Sequence, residues 1–125
     1  MNWVVSKPHD CTGSPLFMGR NRLGRLNGWW HTIAMAFVFE KSEAETEASR
    51  AGCGVLAVQV KLKYVVEKGP SWWGKTQTNK WGWVPSILCA HQYSSQRNCS
   101  RAVTRLREKG NVGIFVRKIA VETIP

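Results

Sequence analysis

Residues 55–68 constrain the fold more than any other stretch of the chain. Val58, Val60, Leu62, Tyr64 and Val66 occupy alternate positions, and Gln59, Lys61 and Lys63 lie between them. Successive side chains of a strand point to opposite faces. This period of two therefore predicts a long strand with one apolar face on a core and one basic face turned away from it. Such a strand needs neighbours for its backbone groups and a second layer over its apolar face.

In residues 30–40, His31, Ile33, Met35, Phe37 and Phe39 alternate with Thr32, Ala34, Ala36 and Val38, the period of a first strand. Residues 41–51 have a helix-compatible composition and run into Gly52, which predicts a short helix ending there. Gly69, Pro70 and Ser71 break the long strand, and a polar loop holding Trp72 and Trp73 leads through Asn79. Residues 81–90 read as a third strand, interrupted by Pro85 and so at an edge or a bulge. Ser94 or Ser95 caps a second helix running to Lys109 and stopped by Gly110. Its Cys99, Ala102, Val103 and Leu106 recur at the spacing of a buried stripe. Residues 112–124 form a last strand, rich in Ile, Val and Phe.

This order predicts an α+β fold, with an antiparallel sheet of about four strands, two helices packed on one face, and a basic open face on the other. Residues 1–28 combine Pro8, Pro15 and several glycines with Arg20, Arg22 and Arg25, and read as an irregular basic N-terminal arm. Residues 29–125 then make a single domain, long enough to bury roughly two-thirds of its unfolded surface.

Charge narrows the choice of partner. The chain has 18 Lys+Arg against 8 Asp+Glu, and Glu40, Glu43, Glu45 and Glu47 hold half of the acids in eight residues. Such a small acidic cluster marks a solvated helix, so the basic remainder is the partner face. No segment approaches the ~20 apolar residues of a membrane helix, and none has the wide apolar face flanked by Lys and Arg of an interfacial helix. The expectation is a soluble protein with no membrane partner. Irregularly spaced Cys11, Cys53, Cys89 and Cys99 and no leader segment suggest reduced thiols in the cytoplasm.

The seven tryptophans, most of them beside glycine or another tryptophan, make nucleic acid the favoured anion. Lysine and arginine neutralise phosphates whatever the sequence, while indole rings stack on bases or on a duplex end. The candidate phosphate contacts are Lys61 and Lys63 on the long strand and Arg20, Arg22 and Arg25 in the arm. Arg97, Arg101 and Arg105 join them, recurring every four residues along the second helix with Lys109 continuing the row, so that they project from one side. The stacking candidates are Trp29, Trp30, Trp72 and Trp73. Double-stranded RNA suits this set, since its wide minor groove is recognised through shape, 2′-hydroxyls and phosphates.

Catalytic and metal chemistry find less support. His9 with Cys11 and Cys89 with His91 offer four zinc ligand types, yet neither pair has the usual Cys-x-x-Cys spacing and nothing in the sequence brings them together. Asp10 is the one aspartate, which leaves little for a two-metal nuclease. No glycine-rich loop precedes Lys-Ser or Lys-Thr. The expectation is a protein that is not an enzyme and takes no cofactor.

Gly52-Cys53 leading into the alternating strand, followed by the Ser/Arg-rich helix segment at Ser100-Arg101, resembles the tombusvirus and aureusvirus family of small RNA-silencing suppressors. The resemblance spans about residues 30–107, and the 14.1 kDa mass is similar to the aureusvirus branch. It implies a plant-virus protein of the host-cell cytoplasm that sequesters small double-stranded RNA. In the tombusvirus type two tryptophans on an N-terminal helix measure duplex length. No Trp-x-x-Trp pair or N-terminal helix is read here, so long and short duplexes are expected to bind alike. A homodimer joining two sheets would widen the platform. Two other readings stay open. One is a structural RNA-associated protein such as an accessory ribosomal subunit. The other is an Argonaute-binding adaptor, because Gly28-Trp29, Trp73-Gly74 and Trp81-Gly82-Trp83 resemble Trp-Gly hooks.

Overall fold

A computed structural model describes residues 2–8, 13–20, 25–26 and 28–124. In chain order the elements are β1 (Trp3–Pro8), β2 (Pro15–Gly19), β3 (Gly28–Trp30), α1 (Lys41–Ala51), β4 (Leu56–Lys68), β5 (Ser71–Lys75), β6 (Trp81–Val84), α2 (Gln96–Glu108) and β7 (Ile114–Thr123). The α+β class is as expected, but the mostly antiparallel sheet has seven described strands where about four were predicted. The chain divides into two compact units, Met1–Leu62 with Ile119–Pro125, and Lys63–Lys118. Strands β4 and β7 contribute residues to both.

In the first unit the strands are ordered β3-β2-β1-β4, each pair antiparallel. Neighbouring residues of one strand enter different cores. Val4 and Phe17 join Ala36, Val60 and Ala120, with Val58 and Leu62 packed alongside. Val5 and Met18 join Phe39 and the α1 residues Ala44 and Ala48, with Val55 and Ala57 alongside. Both faces of these strands are therefore covered. Ala44 and Ala48 lie one helical turn apart, so α1 approaches β1 on a strip of methyl groups while Glu43 and Glu45 face solvent. Gly52, at φ 115°, ends the helix where the sequence placed its stop.

Three expectations for this unit are corrected. Residues 1–28 are not an irregular arm, because β1 and β2 lie within them and β3 begins at Gly28. Pro8 and Pro15 are the outermost pair of the β1–β2 register, at strand ends, where proline is tolerated. Residues 30–40 are not one strand. After Trp30 a short 3-10 helix spans Ile33–Met35, and Phe39 then makes an isolated bridge to Trp3. Apolar side chains at both parities of that segment leave no polar face to hold it flat, and Ala34, Ala36 and Phe39 are all buried. The open basic face is not borne out here: Lys61 is exposed but pairs with Glu122 at 3.1 Å, and the α1 core covers the same strand parity at Val55 and Ala57.

In the second unit β4, β5 and β6 are hydrogen-bonded in that order, both pairs antiparallel. The polar loop through Asn79 joins β5 to β6, closed by Thr76 donating to the Lys80 carbonyl and by Asn79 at φ 62°. Trp72 and Trp73 thus lie in a strand rather than in that loop. The predicted strand over residues 81–90 ends at Val84, before Pro85, and Ser86 caps a 3-10 turn at Ile87–Cys89. Ala90 then bridges Gly74, and Tyr93 bridges Tyr64.

Helix α2 matches its prediction within a residue at each end. The Ser95 hydroxyl accepts from the Asn98 amide at 3.2 Å, and the helix closes at Lys109 before Gly110. Cys99, Val103 and Leu106 pack on Val66 and Ile114, each such apolar side chain contributing about 1.5–3 kcal/mol. Val65 is fully buried beside Val66, so this part of β4 has no open face either, and Lys63 is half-buried.

Candidate nucleic-acid interface

The stripe that locks α2 onto Val66 and Ile114 also decides what its other side presents. Arg97, Arg101 and Arg105 are all exposed and line a shallow groove of about 850 Å³ with Gln96, Ser100 and Thr104. Steps of four residues advance about 6 Å along the helix, which lets consecutive guanidinium groups reach neighbouring phosphates. None of Arg97, Arg101, Arg105 and Lys109 is ion-paired among the described residues. Arg107, off the row, instead donates to the Ile114 carbonyl at 2.9 Å and fastens the helix end to β7.

Charge separates along the chain. Lys63–Lys118 holds eleven of the 18 Lys+Arg and two of the 8 acids, and one of those two, Glu67, is bound to Arg117 at 2.5 Å. The first unit is close to balanced, with seven basic and six acidic residues. Lys61 belongs to that balanced unit and is paired. Arg20 covers the Phe37 ring at 4.9 Å, Arg25 is exposed, and Arg22 lies outside the described residues. The predicted phosphate contacts are divided between the units: Lys63 and the α2 row belong to the strongly basic one, while Lys61, Arg20 and Arg25 belong to the other.

The stacking candidates divide by burial. Trp72 is buried, and the indole nitrogens of Trp72 and Trp30 are enclosed without a hydrogen-bond partner. Trp29 packs in the α1 core with the Lys7 ammonium 4.2 Å over its ring. Trp29, Trp30 and Trp73 are each half-buried, and Trp73 shares its face of β5 and β6 with further rings.

That face carries a run of rings of which Trp73 alone belongs to the predicted set. Trp73 stacks on Trp81 at 6.1 Å with 15° between planes and meets Trp83 edge-on at 5.3 Å. Trp81 meets His91 at 5.1 Å, and His91 meets Tyr93 at 4.6 Å, both edge-on. Trp81 is 49 % exposed and His91 is exposed. Lys68 lies over Trp83 and Lys75 over Trp81, at 5.1 and 5.5 Å. Burial and the nearby Cys99 raise the Tyr93 hydroxyl pKa, while the Arg105 charge pulls it down, so the run ends within the field of the arginine row. The alternation in Trp81-Gly82-Trp83 was the available signal that these rings share a face.

No group of three His, Cys, Asp or Glu among the described residues is placed to hold a metal ion. His9 and Cys11 lie outside the described residues. Cys53 and Cys89 are exposed free thiols, and Cys99 is a buried one whose pKa burial pushes up to about 11. No described helix is long and apolar enough to cross a membrane. Comparison with protein-family models, with curated proteins and with solved structures gave no match.

Proposed function

We propose that this is a non-enzymatic, double-stranded RNA-binding protein that acts by sequestering duplexes. The observation that carries the reading is the row Arg97, Arg101 and Arg105 on α2. It is exposed and unpaired, it is interspersed with the hydroxyl-bearing Ser100 and Thr104, and it sits in a unit with a large excess of positive charge. Guanidinium groups take phosphates and hydroxyls take 2′-OH groups, the two kinds of contact by which an RNA duplex is recognised without reading bases. Within that class, the particular role proposed is a viral suppressor of RNA silencing that shields small RNA duplexes in the host cytoplasm.

The test is a gel-shift titration against 21-base-pair RNA, 21-base-pair DNA, single-stranded RNA and 60-base-pair RNA at two salt concentrations, with wild type and the R97A/R101A/R105A variant. The expected result is salt-sensitive preference for both RNA duplexes, lost in the variant. In a leaf-based reporter-silencing assay the wild type restores reporter expression and the variant does not. Equal weak binding to all four nucleic acids, unchanged in the variant, would overturn the proposal.

A further inference from the structure

We infer that the aromatic face of β5 and β6 is a second RNA subsite, one that takes unpaired nucleotides by stacking. The inference rests on the duplex reading of α2 and extends it to a single-stranded extension of the duplex. Its occupant follows from the chemistry of the face. Trp81 and His91 turn flat rings to solvent, with Trp73 stacked behind Trp81 and Tyr93 edge-on to His91. Enclosing a large indole is the usual outcome, because Trp is highly buried on average. Here Trp81 remains half exposed on a strand paired to β5, with the Trp73 ring stacked behind it.

The surrounding charge selects an anionic ligand. Lys75 holds its ammonium over Trp81, and Arg105 acts on Tyr93. A base that stacks on Trp81 would displace Lys75 from the ring and leave it free to meet the phosphate of the same nucleotide. Stacking needs no base-specific hydrogen bond, so the subsite is tolerant of sequence. Sheets that present surface aromatics accommodate about two or three bases, and the solvent-facing rings here match that number. The rim is lysine-rich and the unit nearly devoid of free carboxylates, which favours RNA over an apolar or basic peptide.

The experiment measures fluorescence anisotropy with 21-base-pair RNA duplexes that are blunt or carry a three-nucleotide single-stranded extension at the 3′ or 5′ end, together with hexauridylate alone. Wild type is expected to bind one extended duplex more tightly than the blunt one, by roughly 5- to 150-fold, the range for stacking one base. Trp81→Ala should erase that ratio and leave blunt-duplex affinity within about twofold, whereas Trp81→Phe should keep most of it. Arg101→Ala should weaken both duplexes alike and leave the ratio intact. If no duplex binds but hexauridylate does, and Trp81→Ala abolishes it, the duplex reading fails and the subsite stands. A ratio of one in wild type, or a ratio unchanged by Trp81→Ala, would overturn the subsite and return the exposed ring to the Trp-Gly hook reading. Circular dichroism spectra matching wild type establish that each variant is folded.

Discussion

The carbonyl oxygen of Cys89 lies 2.5 Å from where a Cβ on residue 74 would stand, so it is the missing side chain of Gly74 that lets the 89–91 segment pass against β5. That approach also seats the His91 amide on the Trp73 carbonyl at 2.9 Å and so places His91 among the tryptophans. Because the obstacle is backbone, it cannot move aside as a side chain would. Gly74→Ala is expected to destabilise the protein by about 1–3 kcal/mol, the usual cost of overpacking. Gly82 is the control, since its Cβ would meet only the Thr76 methyl at 3.2 Å and Gly82→Ala should cost much less. Urea unfolding midpoints of the two variants decide the matter, and equal midpoints would refute the argument.

Ser95 gives a second test, because it fixes where α2 begins and hence how the arginine row is aimed. Ser95→Ala should cost about 1 kcal/mol through the lost cap. Ser95→Asp should retain stability, since a carboxylate both caps and complements the helix N-terminus. It would nevertheless add negative charge beside Gln96 and Arg97, at the end of the groove. The expected pattern is wild-type unfolding with weaker duplex binding. Tight binding by Ser95→Asp would mean that phosphates do not sit at this end of α2.

What could be read from the sequence followed the strength of local periodicity. Strand β4 and helix α2 were legible because Val58–Val60–Leu62 and Cys99–Val103–Leu106 each fit a single period, and Ser95 and Gly110 mark the ends of the helix. Strands β1 and β2 were hidden because Pro8, Gly13, Pro15 and Gly19 resemble loop punctuation. Their role appears only in the pairing, where the prolines close the hairpin register and Gly19 makes room for the Met35 carbonyl and the Trp30 ring. The arginine row was legible as spacing, but the pairing of Lys61 with Glu122 depends on β7 reaching β4 across some sixty residues. Trp81 was missed as a stacking surface for a similar reason. Burial of one tryptophan against another is decided by strand register, which pairs Trp73 with Trp83 and Lys75 with Trp81.

Salt dependence separates the α2 row from the other basic residues. Each phosphate contact releases counterions, so removing one should reduce the slope of log affinity against log salt by about 1 and weaken every duplex sequence alike. Arg101→Ala, in the middle of the row, is expected to show both effects. Lys61→Ala should leave the slope nearly unchanged, because Lys61 already faces Glu122 in the charge-balanced unit. Duplex binding measured from 50 to 300 mM KCl checks this, and a slope change for Lys61→Ala equal to that for Arg101→Ala would move the interface off α2.

Cys99 links the core beneath α2 to pH. Its side chain is wholly buried against Val66 and Ile114, and burial raises its pKa from the ordinary 9.0 to about 11. Since the thiolate is the reactive form, a thiol reagent at pH 8 should modify the exposed Cys53 and Cys89 rapidly and Cys99 only on unfolding, as read by peptide mass mapping. The same shift sets a stability window. Below pH 9 both folded and unfolded chains hold the thiol proton, and the contribution is fully present. Between about pH 9 and 11 the unfolded chain releases the proton while the folded one keeps it, so the unfolded state binds fewer protons and stability falls as pH rises. Cys99→Ala starts from a lower stability, having lost a buried side chain, yet it should lose less across that window than wild type. Denaturation series at pH 8, 9, 10 and 11 compare the two slopes, and parallel curves would show that the buried thiol is not coupled to folding.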